Sequence, residues 1–199
     1  MNLNRSKLFF KTVLALLSVV AMSLNSGCAS NQPPLPTPDR VELEPFMGRW
    51  YVHGYTPILV DKEAHNAIEH YRLDADEKIQ TTYQFRDGGF DGELKTHTPV
   101  GWVYDEATNA EWRMQFIWPF RAEYIILHVD EDYTETIIAH PNRKYAWIML
   151  RSQEVNDADY ERLIEKLEAV GYDRTVIQRL PQDWSGEAER LEDLEAAGL

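Results

Sequence analysis

The sequence predicts an all-β fold: an antiparallel barrel or sandwich of about eight short strands, with one α-helix against its outside. Three observations carry this. Strand-favouring segments recur at roughly ten-residue spacing between residues 50 and 150. Turn-forming clusters separate several of them. A single amphipathic helical pattern follows the last strand.

In chain order the candidate strands are 50–55 (WYVHGY), 67–73 (AIEHYRL), 78–85 (KIQTTYQF), 98–104 (TPVGWVY), 111–116 (EWRMQF), 123–129 (EYIILHV), 134–139 (TETIIA) and 144–150 (KYAWIML). Between them lie DADE (74–77), RDGGFDG (86–92), DEATN (105–109), DED (130–132) and PN (141–142). Segment 111–116 alternates with period two, so Trp112, Met114 and Phe116 share one face and Glu111, Arg113 and Gln115 the other. The segments at 123–129, 134–139 and 144–150 are apolar on both faces and need an outer cover. The helix at 156–170 supplies it, with Tyr160, Leu163, Ile164, Leu167 and Val170 on one stripe. Asn156 suits its N-cap, Asp157 and Asp159 the positive end of its dipole, and Gly171 its stop. Residues 175–180 are expected to return as a short strand. Residues 183–199 read as an acidic tail forming a frayed helix.

The chain begins with an export pattern. Arg5, Lys7 and Lys11 precede a 13-residue apolar run, Thr12–Leu24. That run is shorter than the ~20 residues a helix needs to cross a bilayer, and it fits the apolar region of a signal peptide. Residues 1–27 are therefore expected to be a lipoprotein-type signal peptide. Cys28, the only cysteine, follows at once and has no partner for a disulfide. Leu24-Asn25-Ser26-Gly27-Cys28 resembles a bacterial lipobox, although Asn25 stands where an aliphatic residue is usual. The resemblance implies that Cys28 is the lipid attachment site. Ala29 in place of aspartate implies the outer membrane, facing the periplasm. Residues 28–43 then form a linker, proline-rich over 31–38 (NQPPLPTP).

Charge excludes one class of partner. With 20 basic and 33 acidic residues the net charge is −13, and no long basic run offers the electrostatic footprint of nucleic-acid binding.

Gly48-Arg49-Trp50-Tyr51 opens the first strand. This G-x-W-Y resembles the lipocalin signature. Asp130–Tyr133 (DEDY) resembles that family's second motif, with Glu131 departing from it. Lys144–Arg151 (KYAWIMLR) resembles the third, and the helix follows its arginine as in the family. The likeness spans about residues 44–182 and is nearest to bacterial outer-membrane lipoprotein lipocalins. It implies an eight-stranded antiparallel up-and-down barrel, with Gly48, Trp50 and Arg151 as a structural signature. Trp50 would plug one end, Gly48 would let the backbone pass close by, and Arg151 would lie across the indole.

Enzymatic chemistry is not expected. Of six histidines no two have H-x-x-x-H spacing, no cysteine follows residue 28, and neither G-x-S-x-G nor a glycine-rich phosphate loop occurs. No metal and no cofactor are expected. The family likeness implies a binding protein for a fatty acid, lysophospholipid or similar hydrophobic ligand. Trp112, Met114, Phe116, Phe85, Trp102 and Tyr124 are the residues expected to line its cavity. The expected partners are that ligand and, through the anchor, the membrane, with a homodimer left open. An envelope interaction protein using the barrel as a scaffold, and a periplasmic lipid- or isoprenoid-modifying enzyme, are the other classes. One carboxylate stands apart. Either Ala67, Glu69 and Tyr71 face inward, and a tyrosine or arginine must answer Glu69, or Ile68 and His70 do.

Overall fold

A computed structural model describes residues 32–58 and 61–199. The expected signal segment, residues 1–27, and Cys28 lie outside the described residues. The unit from Pro34 to Leu199 begins with one helical turn, α1 (Leu43–Phe46). Nine strands follow: β1 (Gly48–Tyr55), β2 (Ala64–Leu73), β3 (Ile79–Asp87), β4 (Glu93–His97), β5 (Val100–Val103), β6 (Glu111–Ile117), β7 (Phe120–Val129), β8 (Glu135–Ala139) and β9 (Ala146–Leu150). Helix α2 (Asp157–Ala169), a 3₁₀ turn (Arg174–Val176), the two-residue β10 (Gln178–Arg179) and helix α3 (Ala188–Ala196) complete the chain.

From β1 to β9 the strands pair in chain order and antiparallel, except that β4 and β5 both pair with β3 and β5 continues to β6; β9 returns to pair with β1, which also takes β10. Closure leaves the main path without a free edge, while β4, off that path, has β3 as its one ladder partner among the described residues. β4 and β5 are two halves of one wall strand. β4 pairs with the upper part of β3 (Tyr83–Asp87) and β5 with its start (Ile79 and Gln80). The break falls at Thr98-Pro99, where proline has no N–H for the ladder. Counted this way the wall has the eight strands that the pattern predicts. The β4 half was not legible in the sequence. Its residues, Glu-Leu-Lys-Thr-His, have no apolar alternation, and it forms because β3 offers a long edge.

Alternation along the strands separates three cores. Inside the barrel lie Trp50, Val52, Tyr71, Ile79, Phe85, Trp112, Met114, Tyr124, Ile126 and Met149. A second core lies between the outer faces of β7, β8 and β9 and helix α2. There Leu127, Ile137, Ala139, Ala146 and Ile148 meet Leu163, Ile164 and Leu167. This is why those strands are apolar on both faces. The helix starts where Asn156 accepts the Asp159 backbone N–H at 2.8 Å, and the chain turns out of it at Gly171, with φ +94°. Gly54 lets it approach β1: a Cβ there would stand 3.0 Å from the Tyr160 ring.

The third core corrects the expected tail. Trp184, Leu191 and Leu194 pack against Tyr51 and Ile68 on the outer wall, so residues 183–199 belong to the folded unit. The joint is a bulge in β2 at Asn66, fully buried with φ +46°. Asn66 donates to the Asp183 carbonyl at 2.7 Å and to Glu187 at 3.1 Å. Arg86 pairs with Glu187 at 2.9 Å. Arg190 Nη1 donates to the Asn66 carbonyl at 3.0 Å. Burial would raise the Glu187 pKa, but Arg86, Asn66 and Arg190 outweigh it and hold the carboxyl below its usual range. The return strand expected at 175–180 shrinks to Gln178 and Arg179 on Tyr55 and Gly54, because the 3₁₀ turn uses the residues before them.

Candidate ligand-binding interior

Strand directions place two distinct ends. Gly48, Leu73, Val103, Glu111 and Leu150 lie at one end, Tyr55, Asp87 and the β6–β7 hairpin at the other. The first end is plugged. Trp50 is fully buried, donates its indole N–H to the Phe46 carbonyl at 2.9 Å, and packs on Phe46 with ring centroids 5.3 Å apart. Arg151 lies across it, its guanidinium carbon 3.7 Å from the ring centroid. The same guanidinium donates to the carbonyls of Arg49 (2.6 Å), Pro45 (2.8 Å), Met47 (2.8 Å) and Tyr133 (3.2 Å). Burial lowers its pKa to about 10, so it stays charged at neutral pH. Gly48, at φ +92°, passes 3.4 Å from Arg151 when a Cβ is imagined on it. The three signature residues thus form one latch on α1 and β1.

Above the plug the interior is aromatic. Trp112 stacks on Tyr124 at 5.8 Å and meets Phe46 and Tyr71 edge-on at 5.3 and 5.7 Å. Met114 continues the inward face of β6, and Phe85 lies with Tyr83 on β3. Four of the six residues expected to face inward, Trp112, Met114, Phe85 and Tyr124, therefore lie in one cluster.

The other two are corrected. Trp102 faces outward: it is paired with Arg113, and the Arg121 guanidinium lies over its ring at 3.9 Å. Its neighbour Gly101 takes the inward position, against Met114 and Ile79. Phe116 leaves the inward face because the β6–β7 register shifts between Met114 and Ile117, and it is 52% exposed. It joins Ile117, Trp118 and Phe120, exposed by 73, 81 and 74%, in an apolar hairpin tip at the end opposite the plug.

The open question at Glu69 resolves to the inward phase. Ile68 sits outside under α3, while Ala67, Glu69 and Tyr71 face in. Glu69 Oε2 accepts from Tyr71, in very close contact, and from Tyr124 at 3.0 Å, and the two phenol oxygens are 2.5 Å apart. Burial is the largest influence on this carboxyl and raises its pKa, against the two tyrosine donors. A second carboxylate, Asp61, accepts from the Tyr83 hydroxyl at 3.1 Å and the Ile58 N–H at 2.8 Å. Asp61 carries no periodic signal and was not found from the sequence. Among the described residues, no cluster of three or more His, Cys, Asp or Glu is placed to hold a metal, and no helix is long and apolar enough to cross a membrane.

A closed antiparallel barrel with one latched end and an aromatic interior is a container fold. A family profile described as a lipocalin-like domain matches residues 41–182, and the chain belongs to that family. It is 26% identical over 153 residues to temperature-induced lipocalin-1 of Arabidopsis thaliana, covering 71% of this chain and 80% of that one. It is 22% identical over 163 residues to the outer membrane lipoprotein Blc of Vibrio cholerae, covering 80% and 93%. Among solved structures, insecticyanin from the tobacco hornworm Manduca sexta superposes with a TM-score of 0.59 at 18% identity, covering 79% of this chain and 88% of that one. H1 crustacyanin from the lobster Homarus americanus gives 0.59 at 17%, covering 79% and 86%.

Proposed function

We propose that this protein binds a hydrophobic, lipid-like ligand such as a fatty acid or lysophospholipid inside its barrel, reversibly and without transforming it. Its place is the bacterial envelope, held to the outer membrane through Cys28 and facing the periplasm. The observation that carries the binding reading is the inward cluster of Trp112, Met114, Phe85 and Tyr124. Aromatic rings and an adaptable Met suit an acyl chain. The relative named as an outer membrane lipoprotein supports the location. So does the apolar hairpin of Phe116, Ile117, Trp118 and Phe120. Exposed tryptophan and phenylalanine side by side suit the boundary between water and lipid, where a chain would pass between membrane and barrel.

Titration with a fluorescent fatty acid and a fluorescent lysophospholipid tests the reading. Wild type is expected to bind at least one, and Met114→Trp to lose binding while remaining folded. A wild type that binds neither, or a Met114→Trp that binds as well as wild type, overturns the assigned site.

A further inference from the structure

The β6–β7 hairpin places a cation directly beside its apolar tip. Its last rung pairs Ile117 with Phe120, and Trp118 and Pro119 make the turn between them. Arg121 follows at once on β7. It shares the outer face of the wall with Glu123, two residues on. Glu123 stands opposite Arg113, and Arg113 opposite Trp102. The Arg121 guanidinium lies over the Trp102 ring, 3.9 Å from its centroid, and among the described residues it makes no ion pair and no hydrogen bond. Arg113 differs. It lies over the Tyr104 ring at 3.7 Å and is answered by Glu111 at 2.7 Å and Glu123 at 3.7 Å. Those two carboxylates are therefore committed to Arg113, and the charge of Arg121 stays unanswered.

An indole under a guanidinium fixes the plane of the group and leaves its in-plane N–H donors free. That fork suits an anion with two oxygens side by side, such as a phosphate diester. Its height on the wall is also suited to one source of phosphate. Strands rise about 3.3 Å per residue, so Arg121 stands about 8 Å behind the Trp118-Pro119 turn. The apolar side chains of interfacial segments sink about 5–10 Å into the boundary between headgroups and acyl chains. A hairpin seated to that depth brings Arg121 level with the lipid phosphates.

We propose that the hairpin and Arg121 form one bilayer-docking surface. Phe116, Ile117, Trp118 and Phe120 enter the apolar boundary, and Arg121, held flat on Trp102, clamps the phosphate of a phospholipid headgroup. The barrel then stands with its unplugged end toward the bilayer. This rests on the membrane location proposed above and assigns the residues that make the contact. What binds in the interior is a separate matter.

The test is flotation of the chain 29–199 with lipid vesicles. That chain keeps the whole folded unit, Pro34–Leu199, and lacks the apolar run 12–24 and Cys28, so neither enters the reading. One vesicle is phosphatidylcholine; the other is digalactosyldiacylglycerol, a bilayer lipid without phosphate. Both are uncharged overall, so the −13 of the full sequence does not favour either. The parent chain is expected to bind the phospholipid about fivefold more tightly, the worth of one well-placed exposed ion pair. Arg121→Gln brings the two vesicles to within about twofold. Trp118→Ser weakens binding to both by about tenfold. Equal binding of the parent to both vesicles, or a fivefold preference retained in Arg121→Gln, overturns the phosphate clamp. A parent that floats with neither vesicle, or a Trp118→Ser chain that floats as well as its parent, overturns the docking surface altogether. Titration of the same chains with a fluorescent fatty acid reads the interior separately. Binding there leaves the ligand reading standing whatever the vesicles show.

Discussion

Arg151 is held by the carbonyls of Pro45, Met47, Arg49 and Tyr133 and by the face of Trp50. The group is half-buried and has no carboxylate partner among the described residues, so backbone dipoles and the indole quadrupole stabilise its charge. The two side chains act as one unit. Trp50→Ala is expected to cost about 3–5 kcal/mol, as for other buried tryptophans. Arg151→Ala frees several carbonyls at once and also removes a contact worth roughly 0.5–2 kcal/mol. Because both substitutions remove that contact, the double variant should lose less than the sum of the singles in urea melts. Full additivity would show that the indole and guanidinium do not support each other.

At the scale of elements, the segment after Leu180 is held by polar bonds as much as by its apolar face. Glu187 accepts from both Arg86 and Asn66, and Arg190 lies against it at 3.6 Å, with Glu187 and Arg190 each about 5% exposed or less. Burying such a cluster costs desolvation, and removing one member leaves the others charged and unanswered. Glu187→Ala should therefore destabilise by about 3 kcal/mol or more, with α3 becoming accessible to protease before the barrel opens. Glu187→Gln, which keeps an acceptor but not the charge, should lose less. A Glu187→Ala protein as stable as wild type would mean that α3 is held by Trp184 and Leu194 alone. Element α2 differs in kind. Its hold on β7, β8 and β9 is mainly apolar, through Leu163, Ile164 and Leu167, with one ion pair from Arg162 to Glu135 of β8 at 2.6 Å.

At the scale of the whole molecule, the proposed membrane location has to hold for a chain of net charge −13. On that proposal one apolar hairpin would give only reversible contact, and acylation at Cys28 would add the further anchoring that stable attachment needs. Cys28→Ser is expected to release the protein into the soluble periplasmic fraction while its ligand binding is unchanged. A Cys28→Ser protein that still sediments with outer membranes would assign retention to the hairpin instead.

The latch of Gly48, Trp50 and Arg151, a long-range contact, was expected only through the resemblance to the lipocalin signature, whereas the sequence by itself determined the fold class, the wall strands apart from the β4 half, and the stripe and caps of α2. These last are short-range properties: period two, period 3.6 and turn residues. It also carried the inward face of Trp112 and Met114, because strict alternation leaves a strand only two faces. Tertiary structure decided what alternation does not encode. A register shift after Met114 sent Phe116 outward, and a neighbouring Gly101 put Trp102 on the outer wall. The phase of β2 at Glu69 depended on α3 covering Ile68, and on Tyr124, 55 residues away, reaching the carboxyl. Both β2 phases bury an apolar set, so local pattern could not choose between them. The cost of burying a carboxyl is settled only by groups that the closed barrel brings beside it.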